Sequence, residues 1–345
     1  MTDSGIKVLF IGGTGIISTS SVRRAVETGM DVYVLNRGNN TRRRVLPAGV
    51  TQLIGDVSNP ETVRAAIGDL HFDAVVNFVS FTGDDTARAI DAFSGRTDHY
   101  VHISTASLYR KPIRQVPIVE SNVIGNPLVS YSQDKLDAEH ILTQAYDDGF
   151  PATIVRPSHT YDETNPPLPG DWTALARLER GAEIVVPGDG TSLWTLTHAA
   201  DFALGLVGLL ANPRAIGEAF HITSDDVYTW DQIYTILADA LGVEANLVHV
   251  PSELVMVGAP DWFWSELLIG DLSHSAVFDN SKIRRYVPDF APRRTFHRTA
   301  HELVQWRAAH PDFTAVDGEV DAIIDRLVTG YHASRDAFAA LAPRS

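Results

Sequence analysis

This sequence predicts a doubly wound α/β fold: one parallel sheet with helices on both faces, and a smaller, mostly C-terminal α/β lobe. Three observations carry that expectation. Short apolar runs alternate with helical patterns as far as Arg156. The first run passes straight into a glycine cluster and then a helix, in Lys7-Val-Leu-Phe-Ile-Gly-Gly-Thr-Gly-Ile-Ile-Ser18. A chain of 345 residues, 44% of them hydrophobic, is long enough for a large core in one or two domains.

Residues 8–11 are apolar, end at glycines and read as a buried strand. Gly12, Gly13 and Gly15 form a tight turn, and the pattern is helical from Ile17 through Val22, Ala25 and Val26 to Gly29. Free N–H groups and the positive end of the helix dipole face an anion there, and the missing side chains let the backbone approach it. Ser18 stands where the third glycine of a dinucleotide-binding fingerprint usually sits, so the helix is expected to pack slightly less closely on its strand. Strands follow at 32–35 and 51–54, and a helix at 60–67 with Pro60 in its first turn. A strand at 74–79, a helix at 84–93, a strand at 100–104, a long helix at 131–146 and a strand at 152–156 complete the alternation.

Beyond Arg156 the pattern loosens. Residues 160–170, rich in Pro, Asp and Asn, read as a loop, 183–187 as a strand, 201–210 as an apolar helix and 219–222 as a strand. Helices at 230–241 and 300–309 flank a strand at 247–250, and Val320, Ile323, Ile324, Leu327, Val328 and Tyr331 mark a final amphipathic helix. The expected division is a Rossmann-type dinucleotide-binding domain in 1–165, to which 195–225 returns, and a substrate lobe in 166–194 and 226–345. Ligands of such a sheet bind beyond the C-terminal strand ends.

Composition narrows the function. The net charge of −15 argues against a nucleic-acid partner, which needs a basic face, but leaves room for one anionic cofactor held by local dipoles. There are no cysteines, so neither disulfides nor thiolate metal sites arise, and the thirteen histidines are read as carrying no metal. No apolar run approaches a membrane span, and the start, Met-Thr-Asp-Ser-Gly, is not a signal peptide, so a cytoplasmic protein is expected.

The strongest chemical signal is Tyr131-Ser-Gln-Asp-Lys135, inside the helix expected at 131–146. The i, i+4 spacing puts phenol and ammonium on one face. A phenol titrates near ~10, and a neighbouring ammonium favours its phenolate. The pair therefore predicts a tyrosine that exchanges a proton with an alcohol near neutral pH. The strand at 100–104 runs into Ser104-Thr105-Ala106-Ser107-Leu108-Tyr109, which brings hydroxyls to a C-terminal strand end.

With these segments on the page, the chain resembles the extended short-chain dehydrogenase/reductase family, of NAD-dependent epimerase/dehydratase type. The resemblance also covers Pro117-Ile-Val-Glu120, Val155-Arg-Pro-Ser158, Gly188-Asp-Gly190 and His198-Ala-Ala-Asp201, and so runs through most of the chain. It implies an NAD(P) cofactor whose nicotinamide exchanges the hydride. It implies Tyr131 as general acid/base, Lys135 on the nicotinamide ribose while lowering the tyrosine pKa, and Thr105 on the reacting oxygen, with Ser104 and Ser107 as neighbours. Gly12, Gly13, Thr14, Gly15, Ile16 and Ile17 would cradle the cofactor. Asp56 and Val57 would contact adenine, Phe78 and Val79 the middle of the cofactor, and Pro157 and Ser158 the nicotinamide side. His159 follows within reach of the substrate, whereas His198 and Asp201 look structural. The resemblance also implies a homodimer through the helices at 84–93 and 131–146.

Two departures from the family pattern refine the reading. The second strand ends Val34-Leu35-Asn36-Arg37-Gly38, where an NAD-selective site usually has a carboxylate for the ribose 2′-hydroxyl. Asn36 removes that charge and Arg37 can pair with a 2′-phosphate, which favours NADP, although an Asn also binds a ribose hydroxyl. Arg42, Arg43 and Arg44 read as a solvated loop ahead of a source of added positive potential. Trp194 stands where nucleotide-sugar relatives usually carry a diphosphate-binding arginine, four residues before His198, and Ile269-Gly-Asp-Leu-Ser-His274, upstream of Asp279-Asn-Ser-Lys282, offers no second one. A buried diphosphate would be poorly compensated, unless Arg177, Arg180, Lys282 or Arg284 served it. Among Trp172, Trp194, Trp262 and Trp264, Trp194 is singled out as lining the substrate pocket, with Ser107 and His159. Ala106 and Ser107 replace the acid/base pair usual in dehydratases. The expected protein is an NAD(P)-dependent oxidoreductase or epimerase acting on a secondary hydroxyl of a small sugar-like molecule. A simple NADP-dependent ketoreductase with exchanging cofactor is the alternative. A non-catalytic NAD(P)-binding or RNA-associated protein is the rival from another class, and the acidic charge and the complete Thr–Tyr–Lys set both speak against it.

Overall fold

The computed structural model describes residues 5–38 and 43–342; Arg42, and so one member of the basic run, lies outside them. The first half alternates as its sequence does: β1 (Lys7–Ile11), α1 (Ile16–Glu27), β2 (Asp31–Asn36), β3 (Thr51–Ile54), α2 (Pro60–Ile67), β4 (Ala74–Asn77), α3 (Gly83–Phe93), β5 (Tyr100–Ile103), α4 (Ser130–Asp147) and β6 (Ala152–Pro157). Then come β7 (His159–Tyr161), α5 (Asp171–Glu179), β8 (Ile184–Pro187), β9 (Leu193–Trp194), β10 (Leu196–His198), α6 (Ala199–Leu209) and β11 (Ala219–Ile222). The rest is β12 (Tyr228–Thr229), α7 (Trp230–Leu241), β13 (Leu247–Val250), α8 (Ser252–Gly258), α9 (Phe263–Leu267), α10 (Ser281–Tyr286), α11 (Phe296–Ala309) and α12 (Gly318–Ala340).

Seven strands form one parallel sheet in the order β11-β6-β5-β4-β1-β2-β3. The chain leaves β1 toward β3, then returns to β4 on the other side of β1. The switch point between β1 and β4 opens the crevice in which such sheets bind ligands. Alternation along β1 feeds two cores. Val8 and Phe10 join α1 (Val22, Ala25) and α6 (Phe202, Leu206), together with Ile283, Val287 and Phe290. Leu9 and Ile11 join α2 (Val63, Ile67), α3 (Ala89, Phe93) and α4 (Leu142). A third core gathers Trp172, Trp194, Trp230, Tyr234, Leu268, Phe296, Leu303 and Ile324 beneath the parallel pair β8–β13 and the antiparallel pair β9–β12. No described helix is long and apolar enough to cross a membrane.

Several local expectations are corrected. Ser18, in the place of the third glycine, has a bonding role of its own. It is buried, its Oγ accepts from the Gly15 N–H at 2.7 Å and donates to the Gly12 carbonyl at 2.8 Å, so it ties turn to helix. The segment expected as a loop at 160–170 begins inside β7, which pairs with β10. Helix α5 went unexpected because every residue from Trp172 to Leu178 is buried, which erases the polar face that marks a helix. Helix α11 starts at Phe296, four residues earlier than its apolar pattern suggests. The basic run is not a solvated loop at its described end. Arg44 grips Asp162 through two bonds of 2.8 and 3.0 Å, and Arg43 donates to the Thr164 carbonyl.

Candidate active site

Two cavities meet at the C-terminal edge of the sheet. The larger, about 810 Å³, runs over the switch point; the smaller, about 240 Å³, lies under the lobe. They share Thr105, Tyr131, Pro157 and Ser158 on their walls.

The large cleft follows the glycine turn. Gly12 has φ +80°, and a Cβ there would come within 2.4 Å of Val79 Cγ1. A Cβ on Gly15, at the cleft wall, would meet nothing except Ser18 Oγ at 3.1 Å, so it would stand in the cleft itself. Among the described residues nothing accepts from the N–H groups of Ile16 and Ile17 in the first turn of α1. Donors at a helix start, beside a wall kept bare, suit the pyrophosphate of a dinucleotide. Thr14, Asn36, Arg37, Asp56, Val57, Phe78, Val79, Ser104 and Lys135 line the same cleft. Gly13 does not. It is buried, and a Cβ on it would strike Val34 Cγ1 at 2.8 Å, so the absence of its side chain serves packing behind the cleft wall. Asn36 Oδ1 accepts from the Gly38 N–H at 3.0 Å, which leaves its NH₂ as the free end. The Asp56 carboxylate accepts from the Ser58 N–H and hydroxyl, and these bonds, the backbone one foremost, hold its pKa below the usual value.

Tyr131 sits in the first turn of α4, where Glu266 of α9 caps the helix by accepting from the Ser130 N–H at 3.0 Å and hydroxyl at 2.7 Å. One turn on, Lys135 is buried and its ammonium donates to the Ser80 and Ile103 carbonyls at 2.6 and 2.8 Å. An ammonium has three donors, so one remains. Burial brings Lys135 down to about 8, against the opposing pull of Glu139 and Asp85. The Tyr131 phenol is pushed up to about 12 by burial. This corrects the expected direction. Two of the three Lys135 donors go to carbonyls, and its Nζ lies 6.0 Å from the Tyr131 ring centre, so burial sets the direction of the phenol's shift. Thr105 Oγ1 accepts from the Ser107 N–H at 3.2 Å and lies 3.0 Å from Ser107 Oγ, which in turn lies 2.7 Å from Ser132 Oγ. Ser104 donates to Glu139 at 2.5 Å, and Glu139 is clasped by Arg156 at 2.6 and 2.9 Å, so the strand ends β5 and β6 are tied to α4 beneath the site.

The small pocket is walled by Ala106, Ser107, His159, Trp194, Phe263, Trp264, Leu267, Asp271, Leu272 and Phe278. Trp194 Nε1 donates to His159 Nδ1 at 3.0 Å. Burial takes His159 down to about 4, so it is neutral. Trp264 joins Trp194 on the wall, whereas Trp262 is buried in the lobe core and Trp172 stacks on Trp306. Asp271, unanticipated from sequence, faces the pocket from a π-helical turn at Leu268–Leu272 and pairs with buried Lys111 at 2.7 Å. Only folding brings these two together, since 160 residues of chain separate the positions.

None of the cations held in reserve for a diphosphate lies on either wall. Arg177 is paired with Asp321 and Asp325 at 2.5 and 2.6 Å, Arg180 with Asp321 at 2.6 Å, Lys282 with Glu218 at 2.7 Å and Arg284 with Asp225. Outside the site, the described residues bring Glu163, His198 and Glu302 within 4.8 Å of one another. His198 Nδ1 accepts from the Ala200 N–H, so Nε2 carries the proton and offers no lone pair, and Glu302 is held by Arg294 at 2.7 and 2.8 Å. His297 and His301 stand four apart on α11, a spacing that the metal-free reading of the histidines passed over; both are exposed.

The sequence pattern of the NAD-dependent epimerase/dehydratase family matches residues 8–223. A 2′-dehydrokanamycin reductase of Streptomyces kanamyceticus is 30% identical over 292 residues, covering 84% of this chain and 81% of that protein. A chloroplast stem-loop binding protein of 41 kDa from Arabidopsis thaliana is 26% identical over 255 residues, covering 70% and 65%. The crystal structure of a UDP-glucose 4-epimerase from Bifidobacterium longum, in complex with NAD+ and UDP, superposes with a TM-score of 0.71 at 18% identity, covering 89% of this chain and 99% of that one.

Proposed function

This chain belongs to the NAD-dependent epimerase/dehydratase family and is an NAD(P)-dependent enzyme of the extended short-chain type, and from that premise we propose that it reduces a ketone on a sugar-like glycoside that carries no nucleotide, with NADPH as donor. The observation that carries the reading is the pocket wall. It holds aromatic faces and hydroxyls, one carboxylate already paired with a lysine, and no arginine or lysine of its own. A diphosphate buried there would lack counter-charge. Aromatic faces suit the apolar side of a sugar ring. The reductase relative, named for a dehydro-glycoside, agrees with this class of substrate.

The geometry supports these roles. A bound dinucleotide supplies the hydride. Tyr131, held protonated, gives its phenolic proton to the ketone oxygen as that oxygen becomes an alcohol. Thr105 Oγ1, which accepts from the Ser107 N–H, would turn its own hydrogen to the same oxygen. The free donor of Lys135 takes a ribose hydroxyl. Of the residues that line the cleft, Gly12, Thr14, Gly15, Ile16 and Ile17 would hold the pyrophosphate, Asp56 and Val57 the adenosine, and Phe78, Val79, Ser104, Pro157 and Ser158 the rest of the cofactor. The Asn36 NH₂ and the exposed Arg37 guanidinium are both donors, the right polarity for a 2′-phosphate. Residues 1–165 with 195–225 form the cofactor side and 166–194 with 226–345 the substrate side, except that α10 and the residues to Phe290 pack back on the sheet core. The protein works in the cytoplasm, as a homodimer through α3 and α4.

The test is consumption of NADPH with a methyl hexopyranosid-2-ulose, beside UDP-glucose and UDP-galactose assayed for epimerisation. The expected result is reduction of the keto-glycoside and no turnover of either UDP-sugar. Epimerisation of a UDP-sugar without added NADPH overturns the proposal.

A further inference from the structure

We infer that Trp194 locks His159 in its Nε2–H tautomer, and that the proton so placed reads an acceptor oxygen of the substrate next to the reacting ketone. The inference rests on the substrate pocket proposed above and concerns how that pocket selects.

An indole N–H is a donor and nothing else. Trp194 Nε1 lies 3.0 Å from His159 Nδ1, so that nitrogen must present its lone pair. A neutral imidazole carries one proton, which therefore sits on Nε2. The ring is also fixed in place: its centre lies 6.2 Å from Trp194, 6.3 Å from Trp230 and 6.2 Å from Trp264. His159 lines the small pocket with Thr105 and Tyr131, and among the described residues no acceptor meets Nε2. Burial keeps the ring uncharged at neutral pH. What it offers is one hydrogen-bond donor of fixed direction. A hydroxyl, ether or glycosidic oxygen satisfies it; an ammonium or a metal ion, which needs a lone pair, does not. His159 is thus a binding residue, and Trp194 a positioning residue that acts through it.

The chemistry also distinguishes two substitutions. Gln carries an amide N–H near the place of Nε2, whereas Phe keeps the ring and loses the donor. Trp194→Phe keeps an aromatic wall and loses the N–H that sets the tautomer.

The experiment has two arms. The first reads the tautomer by long-range ¹H–¹⁵N correlation on ¹⁵N-histidine-labelled protein. The expected His159 pattern is an acceptor Nδ1 and a protonated Nε2 in the wild type, and a tautomer mixture in Trp194→Phe. The second measures binding of methyl α-D-glucopyranoside to the NADP+ complex by calorimetry. His159→Phe should weaken it by about tenfold, the scale of a neutral hydrogen bond, with NADP+ affinity unchanged, and His159→Gln should restore most of the loss. A wild-type pattern with the proton on Nδ1, or His159→Phe binding the glycoside as tightly as wild type, overturns the inference. Wild type that shows the Nε2–H tautomer but ignores glycosides while turning over a UDP-sugar overturns the proposed function instead.

Discussion

At the scale of single residues the site is set by what burial does to two titrating groups. Burial holds the Tyr131 phenol up at about 12, so at neutral pH it is an acid ready to give its proton, the state reduction needs. Tyr131→Phe removes that proton and almost no surface. Turnover should fall by about 10²- to 10⁴-fold while NADPH affinity stays within a factor of about two. Stopped-flow reduction and a fluorescence titration of the cofactor read the two effects separately, and normal turnover would remove Tyr131 from the mechanism. Lys135 moves the other way, from the ordinary lysine value down to about 8. It is charged below that pH and neutral above it. Cofactor affinity in the free enzyme should therefore decline as pH rises through about 8. A Lys135→Arg variant, charged throughout, should flatten the profile even if its absolute affinity is lower. A wild-type profile flat from neutral pH to pH 9.5 would place the lysine charge outside cofactor binding.

At the scale of elements, the site depends on how one helix begins. Helix α4 has no side-chain cap of its own, and Glu266 supplies one from α9, a segment far off in sequence. Glu266→Ala should cost about 1 kcal/mol in stability, the usual value of a lost cap. Because Tyr131 is in that first turn, kcat should fall more than the affinity for NADPH. Chemical denaturation beside steady-state kinetics checks both, and unchanged kcat would show that Tyr131 keeps its place without the cap. The same example shows what the sequence could and could not reveal. The sheet strands were legible because apolar runs, glycines and helical periods recur in order, and Tyr131 and Lys135 because their spacing is a local fact. Glu266, Asp271 and Lys111 were not legible, since their significance is a contact made across the fold. The short strands β7, β9, β10 and β12 have two or three residues each, too few to show a period. The direction of the Tyr131 shift was misread for a related reason. Spacing puts a lysine beside a tyrosine, but the Ser80 and Ile103 carbonyls that claim the lysine belong to other strands and loops.

At the scale of the whole molecule, α3 and α4 pack side by side on one flank, the flank proposed for the homodimer. Sedimentation velocity at micromolar protein should give the mass of a dimer, and a single monomeric boundary would refute that assembly. The lobe imposes a different asymmetry. Trp194 faces the pocket, yet it is also a strand residue paired with Tyr228, bridged to Ala276 and packed 5.6 Å from the ring of Trp230 in the lobe core. Phe263 lines the same pocket from the opposite standing: it is 67% exposed, at the first turn of α9. Saturation libraries at the two positions should therefore separate. Variants at Phe263 should stay soluble and change which ligands are accepted, while those at Trp194, aromatic replacements such as Phe excepted, should mostly be lost from the soluble fraction. Equal recovery from both libraries would contradict this. The pocket is in this sense unevenly evolvable. Descendants of this chain can change readily at the outer rim, but the inner face of the pocket is inherited together with the fold and changes only when the lobe is rebuilt around it.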